Sequence, residues 1–125
     1  LNNAEKVVIL AGGGVRRAEA TLQKLAEMLD APVILTANAR GAMHGHRLCV
    51  PASPSLPSVR NLIASADQIL AIGTELGPTD YDVYAKGGVP DLSDMIRIDI
   101  CADQLARHPA KLPIKADAGP MMAAL

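Results

Sequence analysis

The sequence contains no Trp and no Phe, and only two Tyr. Its core must therefore be aliphatic, built from Ile, Leu, Val, Ala and Met. The same lack removes the aromatic platforms on which single-stranded nucleic acids stack. An excess of one charge is also missing: 12 Lys and Arg face 13 Asp and Glu, with no basic block. A nucleic-acid partner is not expected of such a surface. No apolar run approaches the roughly 18 residues of a membrane span, and no signal-peptide pattern opens the chain. Cys49 and Cys101 lie far apart and lack a CxxC partner. Two such cysteines make no disulfide framework and read as reduced thiols of a cytoplasmic protein.

What is present suits one domain. The chain has 125 residues, half of them hydrophobic. At that size about two-thirds of the unfolded surface can be buried without staples. Leu1 and the closing "MMAAL" read as cut ends, so a piece excised from a longer protein is expected.

Five short apolar runs read as buried strands: 6–11 "KVVILA", 32–36 "PVILT", 68–73 "QILAIG", 95–100 "MIRIDI" and 112–116 "LPIKA". Between the first two, Ala18, Leu22, Leu25, Ala26 and Leu29 recur at helical spacing over 16–30, and Pro32 ends that helix. Residues 37–58 are punctuated by Gly and Pro and read as irregular. A second helix carries Val59, Leu62, Ile63 and Ala66 on one face, with Ser55 placed as its cap ahead of Pro57. Residues 74–94 read as a long polar loop with a helical turn near 80–85. One or two helical turns are expected over 102–108, stopped by Pro109, and a last helix over 118–125.

Apolar strands alternating with helices predict an α/β domain: a doubly wound, mainly parallel sheet of five to six strands with helices on both faces. Ligands of such sheets sit at the carboxyl ends of the strands. Those ends are Gly12–Gly14, Thr36–Asn38, Gly73–Glu75, Asp99–Ile100 and Ala116–Asp117. Gly12, Gly13 and Gly14 pose the sharpest question, because glycine carries an entropic cost. Either a ligand approaches the backbone, drawn to free N–H groups at a helix start, or the turn itself needs them. The NAD fingerprint is incomplete: Arg17 stands at the third glycine position, and no acid ends the second strand. Glu75, Asp80 and Asp82 could bind a hard cation or line a solvated loop. His44 and His46 could chelate a metal or belong to a flexible loop. No residue is identified as catalytic.

The segments "VVILAGGGVRRAEATLQKLAEML", "APVILTANARGAM", "SADQILAIGTELGPTDYDVY", "MIRIDICADQLAR" and "IKADAG", in that order, resemble the central domain of thiamine-diphosphate-dependent enzymes. The likeness is to the branch of acetolactate synthases and 2-oxoacid decarboxylases, and it spans essentially the whole chain. It implies a Rossmann-like sheet with the topology of the DHS-like nucleotide-binding domains. It also implies an amino-terminal and a carboxy-terminal domain in the same parent chain, which bind thiamine diphosphate and Mg²⁺. A homodimeric or homotetrameric parent is implied too, as is a fragment without catalysis of its own. Some members hold FAD or ADP in this domain.

By that resemblance Gly12, Gly13 and Gly14 would lie along a dinucleotide, with Thr36 at the end of the second strand. Gly73, Thr74 and Glu75 would form the next turn, and Asp99, Ile100, Asp117 and Ala118 would meet the adenosine end. One departure stands out. Flavin-binding synthases carry an arginine-bearing turn where this chain reads "GTELGPT", with Glu75 in the place of the first arginine. A carboxylate beside a diphosphate is repulsive, so a colourless protein is expected. "MHG" at 43–45 is similar to a flavin-contacting triplet of acetolactate synthases, but it falls too early in the chain. An independent flavin- or NAD-binding module and a purely structural interaction domain are the alternative readings.

Overall fold

The computed structural model describes residues 1, 3–81 and 91–125. Asp82 and the end of the helical turn expected near 80–85 lie outside the described residues.

Six parallel strands form one sheet: β1 (Val7–Ala11), β2 (Val33–Leu35), β3 (Cys49–Val50), β4 (Gln68–Ile72), β5 (Ile96–Asp99) and β6 (Leu112–Lys115). Their order is β3-β2-β1-β4-β5-β6. The chain therefore winds outward from β1 in one direction, then returns to β4 on its other side. Ala11 pairs with both Leu35 and Ile72, so the switch point lies at the carboxyl end of β1. The helices are α1 (Glu19–Leu29), α2 (Pro57–Ala64), α3 (Pro78–Tyr81), α4 (Ala102–Leu105) and α5 (Ala118–Ala124).

The period-2 alternation of a strand assigns side chains to the two faces. Val7, Ile9 and Ala11 of β1 pack with Leu22, Leu25 and Ala26 of α1 and Met122 of α5. Val8 and Leu10 pack instead with Val59 and Ile63 of α2 and Tyr81 of α3. Both faces are thus covered by aliphatic side chains, with Tyr81 as the one aromatic among the buried residues described.

The structure departs from the sequence expectation in several places. Cys49–Val50 inside the irregular 37–58 stretch forms the sixth strand, pairing with Val33 and Ile34. A two-residue edge strand between His46 and Pro51 has no run long enough to show a period. The first helix starts at Glu19 rather than 16, because Gly13–Val15 form a separate 3₁₀ turn. It ends at Leu29, where Asp30 takes the left-handed conformation (φ +46°), before Pro32 is reached. Ser55 does not cap α2: Leu56 holds the cap position, and the Ser55 hydroxyl meets that of Ser53. β6 is an edge strand with most of its side chains exposed, not a doubly covered one.

Candidate functional site

A cleft of about 680 Å³ runs across the carboxyl ends of β1, β2, β4, β5 and β6. Gly12, Gly13, Gly14, Thr36, Gly73, Thr74, Glu75, Asp99, Ile100, Asp117 and Ala118 all line it. The topology alone brings these eleven together, because every crossover returns the chain to the same edge. Asn38, Pro78, Asp80, Cys101 and Gln104 also line it. Asp80 is already a candidate cation ligand from the sequence; Cys101 could have been found there too, since it directly follows the Asp99–Ile100 strand end.

The glycines answer to the chain. A Cβ on Gly12 would fall 2.3 Å from the Gly73 carbonyl oxygen and 2.5 Å from Thr74 Cα. On Gly14 it would fall 2.7 Å from Gly73 Cα, and on Gly73 itself 2.6 Å from Gly14 Cα. Gly73 is also left-handed, at φ +54°. Two backbone turns therefore cross in contact here, and only glycine fits. The Gly12 N–H donates to the Ile72 carbonyl (2.9 Å) and the Gly14 N–H to the Gly73 carbonyl (3.0 Å). The expectation that this turn offers its N–H groups to an anion is thus corrected at two of the three glycines. Gly13 differs: its Cβ would meet only Asn38 Cβ, at 3.2 Å.

The carboxylates of the cleft are also engaged. Asp80 Oδ1 accepts from the Ala37 N–H (2.7 Å) at the start of the 3₁₀ turn after β2. Asp99 Oδ1 accepts from the Cys101 N–H (2.8 Å) just before α4. Asp117 caps α5 by accepting from the Gly119 N–H (3.0 Å). Beside the first turn, Glu19 accepts from the Arg17 N–H (3.1 Å). Its own amide and that of Arg17 hold its carboxyl below the ordinary range. Helix starts attract anions, and here the chain's own side chains fill those positions. Glu75 is exposed and lies in the cleft wall.

Behind the 73–76 turn stands Arg97, fully buried on β5. Its Nη2 donates to the Thr74 carbonyl (3.2 Å), and its Nε and Nη1 find no partner among the described residues. Burial lowers its pKa, opposed by the neighbouring Asp99 charge. Thr74 Oγ1 accepts from the Leu76 N–H (3.3 Å), and Leu76 is buried at φ +53°. A left-handed leucine persists only where its surroundings fix it; the guanidinium, the hydroxyl and the core do so. Tyr81 closes this layer. Burial first, then the Asp80 charge, raises its pKa well above the ordinary phenol value. Arg60 of α2 donates to the Tyr81 carbonyl.

Neither His44 nor His46 lines the cleft. His46 Nε2 meets Glu27 Oε1 (3.1 Å) and so ties the loop to α1, while its Nδ1 accepts from the Leu48 N–H (3.2 Å) within the loop. Met43 of the "MHG" triplet is buried in the core. Among the described residues no group of three His, Cys, Asp or Glu could hold a metal ion.

The chain matches the family described as "Thiamine pyrophosphate enzyme, central domain" over residues 1–125. It is 30% identical to a Pseudomonas aeruginosa protein described as "Probable 2-ketoarginine decarboxylase", over 98% of this chain and 22% of that protein. It is 35% identical to an acetolactate synthase of Mycobacterium leprae, over 92% of this chain and 19% of that protein. A thiamine diphosphate-dependent 4-hydroxybenzoylformate decarboxylase from Rhodococcus jostii superposes with a TM-score of 0.70 at 22% identity, over 97% of this chain and 24% of that one. That superposition speaks for the fold. The chain spans about one-fifth of the length of the curated relatives it matches. With the match covering every residue, the chain belongs to the central-domain family of thiamine pyrophosphate enzymes.

Proposed function

We propose that this chain is the non-catalytic middle of an enzyme that decarboxylates a 2-oxo acid with thiamine diphosphate, with or without joining the product to a second molecule. The observation that carries the reading is the whole-chain family match, set against relatives about five times longer. Thiamine diphosphate and Mg²⁺ do not fit this domain. The described residues hold no three-ligand metal cluster, and those that line the cleft include no cation for a diphosphate. Amino- and carboxy-terminal domains of the parent would bind both, and the parent would act as a cytoplasmic homodimer or homotetramer. Those domains would supply the chemistry of the thiazolium ring.

The role left to this chain is to hold its neighbours in place. An apolar groove at the amino ends of β5 and β6, lined by Leu1, Leu29, Ile96, Leu112, Ile114 and Leu125, supports that role. Leu112 is 49% exposed there, and uncovered aliphatic surface of this kind marks contact sites. The groove suits the remaining chain of the parent. The test pairs the parent enzyme with the isolated 125-residue protein. The parent is expected to release CO₂ from a 2-oxo acid only with thiamine diphosphate and Mg²⁺, the isolated protein not at all. Turnover or thiamine diphosphate binding by the isolated protein would overturn the assignment.

A further inference from the structure

Open α/β sheets hold phosphates with free N–H groups at helix starts. In this chain those positions are taken. Asp80, Asp99 and Asp117 each accept from a backbone N–H at the edge of the cleft, and Glu19 does the same beside the first turn. Two of the three glycine N–H groups after β1 are bonded to carbonyls of the β4 turn. Glu75 adds a further negative charge in the wall. Among the described residues, the twenty that line the cleft include four carboxylates and no Lys, Arg or His. The buried cation Arg97 is not among them; its one bonded nitrogen goes to the Thr74 carbonyl.

We infer that this cleft excludes nucleotide diphosphates, so that neither FAD nor ADP is a resident of this central domain. The carboxylates that hold the turns in place are themselves the barrier. A diphosphate brings two or more negative charges into a site where four already stand. The described lining offers neutral donors such as Thr36, Asn38 and Thr79 but no cation to replace the water those charges would lose. The exclusion is a property of this chain's residues. It uses the domain assignment only to name the nucleotides to try.

The test is equilibrium dialysis of the purified protein against ADP and FAD at low ionic strength, where electrostatic exclusion is least screened. Neither nucleotide is expected to be retained with a Kd below about 1 mM. The triple variant Glu75→Gln, Asp80→Asn, Asp117→Asn keeps acceptor oxygens while removing three charges. It is expected to bind ADP at least tenfold more tightly than the parent sequence. Should the triple variant fail to fold by circular dichroism, Glu75→Arg alone changes only an exposed side chain and carries the same expectation. Two results would overturn the inference: ADP or FAD held by the unmodified protein below about 100 μM, or charge-altered protein as unreceptive as the original. The first of these would leave the domain assignment intact, because it touches neither fold nor family.

Discussion

Replacing Gly12 by alanine separates the two explanations of the glycine turn. The added Cβ would sit 2.3 Å from the Gly73 oxygen, 2.5 Å from Thr74 Cα and 2.6 Å from Thr74 Cβ. The first two belong to backbone, which cannot swing aside as a flexible side chain would. β1 and the β4 turn must part, and the Gly12 N–H to Ile72 bond is strained or lost. Overpacking of this kind costs about 1–3 kcal/mol, sometimes more, and an impaired buried hydrogen bond adds about 1 kcal/mol. A total near 3 kcal/mol lowers the Tm of a chain this size by roughly 10 °C. Gly13→Ala is the internal control. Its Cβ meets only Asn38 Cβ, at 3.2 Å, so the exposed turn that carries Asn38 need give by only a few tenths of an ångström. Its effect should stay within about 1 kcal/mol, since the mild crowding opposes the entropic gain of Gly→Ala. Both variants are read by thermal melting followed by circular dichroism. If the glycines served a ligand, Gly12→Ala and Gly13→Ala would melt together near the parent temperature, and that result would refute the packing argument.

Three further outcomes follow from the same contacts. Asp67 accepts from the Glu5 and Lys6 N–H groups at 2.8 and 2.9 Å, which hold its carboxyl below the ordinary value of 3.8. A depressed carboxyl stabilises the fold above its unfolded pKa, and that contribution fades as pH falls through the folded one. The Tm should therefore decline below about pH 4, less steeply in Asp67→Asn, and parallel declines in the two proteins would count against it. Arg97→Ala removes a fully buried side chain and its bond to Thr74. It should cost about 3 kcal/mol in urea unfolding, and a change under about 1 kcal/mol would show that the turn holds without it. Cys101 is exposed, whereas burial raises the pKa of Cys49. A thiol reagent should label the chain in a fast and a slow phase, with Cys101→Ser deleting the fast one.

β1, β2, β4 and β5, four of the five strands that carry the site, were legible because they are short, aliphatic runs buried on both faces. "VVILA" and "QILAI" are each followed by glycine, so even their carboxyl ends could be placed. That is why the residues of the cleft could be gathered from the ends of predicted strands. What those residues do was not legible. The need for glycine at 12 and 14 lies in Gly73 and Thr74, some 60 residues along the chain, and only the folded crossing makes the contact visible. Asp99 and Asp117 looked like ligand contacts, yet both accept from N–H groups two residues onward. That local habit of aspartate competes with any ligand role. β3 was invisible because two residues carry no period, and Arg97 because nothing in "MIRIDI" shows that its one cation reaches back to the Thr74 carbonyl.

Native mass spectrometry of the parent enzyme, purified from cells without added cofactor, tests the account most directly. Each subunit is expected to carry the mass of thiamine diphosphate and no adenine nucleotide or flavin. A subunit retaining FAD or ADP after desalting would contradict the closed cleft, and one without thiamine diphosphate under any loading would contradict the proposed enzyme.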